Sequence, residues 1–143
     1  MNTGPILLIE DNPDDVELTL RAFKQYNLTN EIIIARDGAE AEELLFGEER
    51  RIPVPALILL DLKLSKLNGL EVLKSLRGHP LSALVPVVVL TSSVEEEDII
   101  SAYESGANSY IRKPVDFSDF VAAIKQVGMY WLLINQPPPG PRS

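Results

Sequence analysis

The stretch Ala56-Leu57-Ile58-Leu59-Leu60-Asp61 contains five consecutive apolar residues followed by one carboxylate. An apolar run that does not alternate with polar residues is typical of a strand covered on both faces, as central strands of parallel sheets are. Asp61 would then lie at the carboxyl end of this strand. In open parallel α/β sheets the ligand crevice lies at that end, so Asp61 is a candidate functional residue. A lone acid there could equally cap the next segment.

Four further segments have the composition of strands, and helical patterns separate them. They are residues 6–9, 32–34, 87–90 and 109–112. Five strands and five helices in strict alternation predict a doubly wound α/β fold, with a five-stranded parallel sheet and helices on both of its faces. The last helix is predicted at about residues 118–134.

Capping residues locate the helix starts. Asn12 followed by Pro13 suits the N-cap and first position of the first helix. Ser93 suits the N-cap of a helix whose first turn holds the acids of residues 95–98, where the helix dipole favours negative charge. The acidic run is interpreted as the solvated start of a helix and not as a functional site.

Length and composition exclude several classes of protein. The 143 residues suffice for one domain with a full core, and the chain has no cysteine for a disulfide or a cysteine-ligated metal. The formal charge of -8 argues against binding to nucleic acid or to anionic membranes. The amino terminus lacks the pattern of a signal peptide, and no apolar run approaches membrane-spanning length. A cytoplasmic protein is predicted.

Reactive side chains follow four of the five predicted strands. They are Glu10 and Asp11, Asp61, Thr91, and Lys113. Because the carboxyl ends of parallel strands share one edge, three carboxylates would crowd together there and would need a cation or shifted pKa values. An all-oxygen set of ligands suits Mg²⁺ and phosphoryl chemistry, in which a carboxylate can act as the nucleophile. Asp61 would be that nucleophile, with Lys113 as a point charge and Thr91 as a hydroxyl donor.

With these residues in place, the chain resembles the response-regulator receiver domains of two-component signalling over essentially its whole length. The acidic pair Glu10-Asp11, the acceptor Asp61, the hydroxyl of Thr91 and the Lys113-Pro114 step match the family's motifs, and Gly69 falls where the family places a glycine. The resemblance implies a flavodoxin-like sheet of order 2-1-3-4-5 and a phosphoacceptor switch that is not an enzyme in the ordinary sense.

The resemblance also implies roles for individual residues. Asp11 and Asp61 would bind Mg²⁺ together with the backbone carbonyl of Lys63, and Glu10 would act through water. Tyr110 resembles the family's switch aromatic. Phosphorylation of Asp61 would draw Thr91 towards the phosphoryl group and let Tyr110 turn inward. The alternative for Tyr110 is an aromatic on an edge strand that merely packs.

The end of the last predicted helix, residues 127–134, is apolar almost all round, unlike a surface helix. Its side chains must therefore fold back on the domain or meet another chain, and a homodimer is favoured. The predicted interface residues are Tyr130, Trp131, Leu133 and Ile134. The receiver domain is expected to span residues 1–134, and a Pro-rich tail residues 135–143.

The opening and the ending of the chain most resemble single-domain receivers that partner phytochrome-type histidine kinases. The chain is therefore predicted to accept a phosphoryl group from a histidine kinase onto Asp61 and to signal by protein contacts in a phosphorelay. One alternative is a dimeric binding module on a receiver fold in which phosphorylation plays no part. A flavin- or nucleotide-binding enzyme is the other, and Glu10-Asp11 argues against it, since these acids would repel a phosphate.

Overall fold

The computed structural model describes residues 3–26, 28–64 and 68–139. In these ranges five strands alternate strictly with five α-helices, as predicted. The strands are β1 (Ile6–Ile9), β2 (Ile32–Ala35), β3 (Leu57–Leu60), β4 (Val87–Thr91) and β5 (Ser109–Arg112). The helices are α1 (Pro13–Gln25), α2 (Gly38–Phe46), α3 (Gly69–Gly78), α4 (Glu96–Glu104) and α5 (Phe117–Gly128). A π-helical segment, Met129–Ile134, continues α5.

All neighbouring strands are parallel, and the sheet order is β2-β1-β3-β4-β5. This confirms the predicted doubly wound fold and its strand order. The chain moves from β1 to β2 on one side and then crosses to β3 on the other. The carboxyl ends of β1 and β3 therefore flank the point where the order reverses, which is where such sheets hold ligands.

The side chains of β3 alternate between two apolar layers, and this explains its unbroken apolar run. Ile58 and Leu60 pack with residues of α2, α3 and α4, whereas Leu57 and Leu59 pack on the opposite face with residues of α1 and α5. All four side chains are almost completely buried. Burial of each such side chain stabilises the fold by about 1.5–3 kcal/mol, so both faces of β3 contribute to the core.

Asn12 caps α1 as predicted. Its side-chain oxygen accepts hydrogen bonds from the backbone N–H groups of Asp14 and Asp15 at 2.9 and 3.3 Å, and Pro13 occupies the first position of the helix. This local geometry fixes the direction in which the first turn of α1 leaves the sheet edge.

The prediction for the start of α4 is wrong. The helix begins at Glu96, Glu95 occupies the N-cap position, and no side chain caps it. Ser93 lies two residues earlier, where its hydroxyl donates a hydrogen bond of 2.5 Å to the carboxylate of Asp98. The same hydroxyl accepts a hydrogen bond of 3.3 Å from the N–H of Glu95, so it meets the residue at the N-cap position and a side chain of the first turn but does not itself occupy the cap.

The last helical stretch begins at Phe117 and ends at Ile134, within one residue of the predicted bounds. Its 18 residues have a mean hydropathy of 1.2, so by length and composition alone it is long and apolar enough to cross a membrane, which differs from the expectation for this chain. The stretch is interrupted by charged Asp119 and Lys125. Its inner side chains, among them Phe120 and Leu132, are buried against α1 and the sheet.

The side chain of Arg77, near the end of α3, forms hydrogen bonds with two other parts of the chain, residues 82–85 and 106–108. Its guanidinium donates hydrogen bonds of 2.7–3.2 Å to the carbonyls of Ser82, Ala83, Val85 and Gly106 and to the side chain of Asn108. Gly106 has a φ of 107°, and a Cβ there would lie 2.7 Å from the Arg77 side chain. Glycine is therefore required at this turn for both its conformation and its lack of a side chain.

We expect Gly106→Ala to lower the free energy of unfolding by roughly 1–3 kcal/mol, because alanine is strained at positive φ and would displace Arg77. Gly78→Ala is the matched control, since nothing lies within 4 Å of a Cβ added at that helical position. The control should be neutral or slightly stabilising. Urea denaturation followed by circular dichroism measures both, and equal effects of the two substitutions would contradict the requirement at Gly106.

Candidate functional site

Backbone hydrogen bonds bring the predicted site residues to one edge of the sheet. The N–H of Asp61 donates to the carbonyl of Ile9 at 3.1 Å, so Asp61 lies beside Glu10 at the end of β1. The N–H of Lys113 donates to the carbonyl of Thr91 at 2.7 Å. The parallel ladder thus extends one residue beyond each strand and places these side chains around one crevice.

Three carboxylates share this crevice, as the sequence predicted. Each of Glu10, Asp11 and Asp61 offers one oxygen, and these oxygens lie within 4.8 Å of one another. We call these residues the acidic trio. Glu10 is 2% exposed and Asp61 8%, whereas Asp11 is half-buried. Closely grouped carboxylate oxygens that water can still reach are the ligands Mg²⁺ prefers, so the trio fits a divalent cation.

The ammonium of Lys113 faces the same crevice. It forms ion pairs with Glu10 at 2.5 Å, with Asp15 at 2.8 Å and with Asp61 at 3.1 Å. The contacts with Glu10 and Asp61 follow from the predicted strand ends. Asp15, on the first turn of α1, was missed as a site residue because its acidity was attributed to the helix dipole alone. The signal was present, since Asn12 as N-cap sets Asp15 on the turn nearest the sheet edge.

The surroundings shift the pKa values of these groups in different directions. Burial raises the pKa of Glu10 to about 7, in spite of its hydrogen bond with Lys113, and the charge of Asp61 adds to the rise. Burial alone would also raise the pKa of Asp61, but the charge of Lys113 and the N–H of Lys63 lower it overall. Burial opposes the charge of Lys113, whereas its hydrogen bonds to Asp15 and Glu10 raise its pKa above the ordinary value.

At neutral pH these shifts leave Asp61 ionised and Lys113 charged, with Glu10 near its midpoint. The carboxylate at the end of the central strand is therefore the member of the trio that combines burial with full negative charge. An ionised carboxylate in a crevice is a candidate nucleophile, and the neighbouring ammonium can meet negative charge that develops there.

The loop after β3 is held close to Asp61. The N–H of Lys63 donates to a side-chain oxygen of Asp61 at 3.1 Å, and the N–H of Gly69 donates to the carbonyl of Leu62 at 3.0 Å. A Cβ on Gly69 would lie 2.5–2.6 Å from backbone atoms of Leu62 and Asp61, so only glycine fits there. Residues 65–67 of this loop lie outside the described ranges, and metal ligation by the Lys63 carbonyl stays a prediction.

The predicted switch residues are joined through Ser93. Thr91 is fully buried, and its hydroxyl accepts a hydrogen bond of 3.5 Å from the N–H of Ser93. The hydroxyl of half-buried Tyr110 donates to the carbonyl of Ser93 at 3.1 Å. Burial raises the pKa of Tyr110. Tyr110 also packs against the apolar layer of α2, α3 and α4, so it combines packing with a hydrogen bond near the site.

The predicted interface residues divide into two groups. Tyr130 and Leu133 are each 47% exposed and Ile134 is 67% exposed. Trp131 is only partly exposed, because it packs against the core layer of α1 and α5. The rings of Tyr130 and Trp131 meet edge to face at 4.9 Å. Three of the four predicted residues are therefore exposed, and Met129 of the same segment is exposed as well.

Comparison with known proteins gives a family for this architecture. Residues 6–125 match the family described as response regulator receiver domain. Response regulator Rcp1 of Synechocystis sp. (strain ATCC 27184 / PCC 6803 / Kazusa) is 40% identical over 129 residues, which are 89% of this chain and 88% of that protein. The probable methanogenesis regulatory protein FilR2 of Methanothrix harundinacea (strain 6Ac) is 39% identical over 134 residues, 93% and 86% of the two chains.

Solved structures agree with this assignment. The Mn²⁺-bound form of Rcp1 matches with a TM-score of 0.87 and 36% identity, and the match covers 96% of this chain and all of that one. The phosphorylated cyanobacterial phytochrome response regulator RcpA matches with a TM-score of 0.87 and 34% identity over 97% and 100% of the two chains. The bacteriophytochrome response regulator RtBRR is 50% identical, with a TM-score of 0.74 and coverage of 98% and 86%.

We expect the protein, without divalent cations, to lose stability as the pH rises from about 5 to about 8, by roughly 2–3 kcal/mol from Glu10. The pKa of Glu10 is about 7 in the fold and 4.5 ordinarily. Between these values the native state holds a proton that the unfolded state has released, so its stabilising effect is complete at low pH and is lost as the pH passes through 7.

Urea denaturation across this pH range measures the loss. Glu10→Gln should flatten the dependence, because glutamine does not titrate. Glu17→Gln is the matched control, since Glu17 is exposed on α1, and it should leave the dependence unchanged. The same slope in all three proteins would show that Glu10 does not have this raised pKa.

Proposed function

This chain belongs to the response regulator receiver domain family, and we propose that it is a single-domain response regulator that accepts a phosphoryl group from a histidine kinase onto Asp61. The observation that carries the proposal is the position of Asp61. It is a buried carboxylate with a lowered pKa at the end of the central strand, 3.1 Å from the ammonium of Lys113 and grouped with two further acids. Phosphoryl transfer to a carboxylate needs this combination of nucleophile and positive charge.

In the proposed transfer, an oxygen of Asp61 bonds to phosphorus while the bond from phosphorus to the kinase histidine nitrogen breaks. That nitrogen keeps the electron pair, and the ring leaves as neutral imidazole because its other nitrogen carries a proton. Lys113 lies within reach of the added phosphoryl oxygens, since it already contacts the acceptor. The protein would thus promote its own phosphorylation with the kinase phosphohistidine as donor, and we propose that the same residues promote its own dephosphorylation.

We propose Mg²⁺ as the cofactor, held by Asp11, Asp61 and the backbone carbonyl of Lys63, with Glu10 acting through water. The grouping of the acidic trio within 4.8 Å and the half-buried position of Asp11 support this set of ligands. When bound, Mg²⁺ would supply the positive charge that three carboxylates and a phosphoryl group require. The Mn²⁺-bound form of Rcp1 is a relative with a divalent cation.

We propose that Thr91 and Tyr110 transmit the modification. A phosphoryl group on Asp61 offers the hydroxyl of Thr91 a stronger acceptor, and movement of this residue would disturb its weak 3.5 Å contact with the N–H of Ser93. The carbonyl of Ser93 in turn accepts from Tyr110. Movement at Thr91 would therefore reach the surface formed by α4, β5 and α5, where a protein partner could respond.

We propose a receiver domain of residues 1–134 followed by a Pro-rich tail of residues 135–143, of which 140–143 lie outside the described ranges. The matches cover 86–100% of RcpA, Rcp1 and RtBRR, so a receiver domain makes up most of each of these relatives. The names of RcpA and RtBRR mention phytochromes, which supports a phytochrome-type kinase as partner. The family assignment supports a cytoplasmic location. Signalling would then proceed by protein contacts and not through nucleic acid, in keeping with the charge of -8.

We expect Asp61→Asn to abolish the phosphoprotein formed with acetyl phosphate and Mg²⁺, because asparagine is not a nucleophile towards phosphorus. Intact-mass analysis measures the adduct. Asp14→Asn is the matched control, since Asp14 is an exposed acid on the first turn of α1 and should leave the adduct unchanged. Circular dichroism verifies that both variants fold.

The rival is a binding module on a receiver fold in which phosphorylation plays no part. It predicts no adduct on the wild-type protein with or without Mg²⁺. An adduct that persists in Asp61→Asn would instead move the acceptor to another residue. The retention of Asp11, Asp61, Thr91 and Lys113 around one crevice favours the phosphoacceptor over the binding module.

We propose that the exposed apolar side chains of the π-helical segment pair with a second copy of the chain. Tyr130, Leu133 and Ile134 are all about half exposed or more, and such a patch favours a protein interface. Symmetric dimers are the commonest assemblies of one chain, and a helix end with apolar residues on its outer face can contact its own copy around a twofold axis.

We expect the double substitution Leu133→Ser and Ile134→Ser to yield a monomer in light scattering, because both side chains are exposed and their loss spares the core. Val115→Ser is the control for removal of exposed apolar area, since Val115 is 98% exposed and lies just before α5, far along the chain from Leu133 and Ile134. It should leave the dimer intact. A dimer that survives the double substitution would place the interface elsewhere. Trp131 is not substituted, because it packs against the core and its loss would affect folding.

A further inference from the structure

Asp15 forms an ion pair with Lys113, in addition to the ion pairs that Glu10 and Asp61 form with it. One of its carboxylate oxygens lies 2.8 Å from Nζ of Lys113, and its side chain is 28% exposed. Asp15 belongs to α1, whereas Glu10 and Asp61 lie at strand ends. Lys113 therefore has two kinds of partner, two carboxylates of the acidic trio and one carboxylate outside it.

The backbone of Asp15 is fixed from both sides. Its N–H donates to the side chain of Asn12 at 3.3 Å, and its carbonyl accepts a hydrogen bond of 2.8 Å from the hydroxyl of Thr19. Thr19 is itself buried. The helix cap and this buried hydroxyl set the first turn of α1, so the Asp15 carboxylate meets Lys113 at a defined place.

The two kinds of partner differ in whether a divalent cation would compete with Lys113 for them. A divalent cation at the acidic trio would lie beside Glu10 and Asp61, the same carboxylates that Lys113 contacts, and two positive charges so close together repel. Asp15 is outside the trio, so its oxygens stay available to the ammonium. Without Asp15, the remaining partners of Lys113 among the described residues would be Glu10 and Asp61 alone.

We propose that Asp15 is a positioning residue that draws Lys113 away from the metal-binding carboxylates, so that the ammonium and a divalent cation occupy the site together. The inference rests on the proposed function, since it concerns the metal site of the phosphoacceptor. Asp15 contacts Lys113 and acts through it. Its removal makes the ammonium a direct competitor of the cation.

The test is a double-mutant cycle on Mg²⁺ affinity, measured by isothermal titration calorimetry with Mg²⁺ alone. In the protein with Lys113, Asp15→Asn should weaken Mg²⁺ binding about tenfold, the scale of one charge-assisted contact. In the Lys113→Met background the same substitution should weaken it by no more than about twofold, because no ammonium competes. Asp15→Glu should recover part of the affinity, since glutamate restores a carboxylate.

Asp14→Asn is the matched control. It removes the same charge from the same turn, and Asp14 is exposed and is not a partner of Lys113. It should weaken Mg²⁺ binding about twofold or less in both backgrounds. An effect of Asp15→Asn that equals the control, or that persists in Lys113→Met, would overturn the inference, because general charge loss or loosening of α1 would then explain it.

Beryllofluoride, a phosphoryl mimic, separates this inference from the proposed function. Fluorine NMR with Mg²⁺ should show the wild-type adduct, and Asp15→Asn should need about tenfold more Mg²⁺ to form it. An adduct with equal Mg²⁺ requirement in Asp15→Asn and Asp14→Asn would overturn the role of Asp15 alone. Failure of the wild type to bind Mg²⁺ or beryllofluoride would overturn the proposed function and this inference together.

Discussion

The functional edge of this sheet depends on the ion pairs that the ammonium of Lys113 forms. The ammonium faces three carboxylates at 2.5–3.1 Å, which come from the ends of β1 and β3 and from the first turn of α1. Buried like charges are tolerated only when an opposite charge compensates them, and among the described residues Lys113 provides that charge. These contacts join residues 52, 98 and 103 positions apart. One side chain therefore links distant parts of the chain and balances the negative charge of the site.

Because Lys113 balances the charge of these carboxylates, a further charge added to the site would change its contacts. Lys113 and the N–H of Lys63 keep Asp61 ionised, while burial keeps Glu10 near its midpoint at neutral pH. A divalent cation or a phosphoryl group would redistribute the contacts of Lys113 among its partners. Thr91 and Tyr110 each form a hydrogen bond with Ser93, and the proposed switch would act through these contacts.

Much of the fold was predictable because its signals are local. The unbroken apolar run of β3 indicated a strand covered on both faces, and Asn12-Pro13 marked the start of α1. Ser93 shows the limit of such reasoning: it has the residue type of an N-cap, yet its hydroxyl bonds to Asp98 because α4 begins further along the chain. A capping propensity indicates a nearby helix start, but the path of the loop decides which partner the hydroxyl meets.

By itself the sequence determined the strands, their order through family resemblance, and the side chains that reach the sheet edge, because apolar periodicity and strand ends are properties of short segments. Only the tertiary structure decided that Asp15 shares Lys113, that burial raises the pKa of Glu10, and that Trp131 packs inward while Ile134 stays exposed. These features depend on distances between side chains far apart in the chain, and residue type alone does not specify such distances.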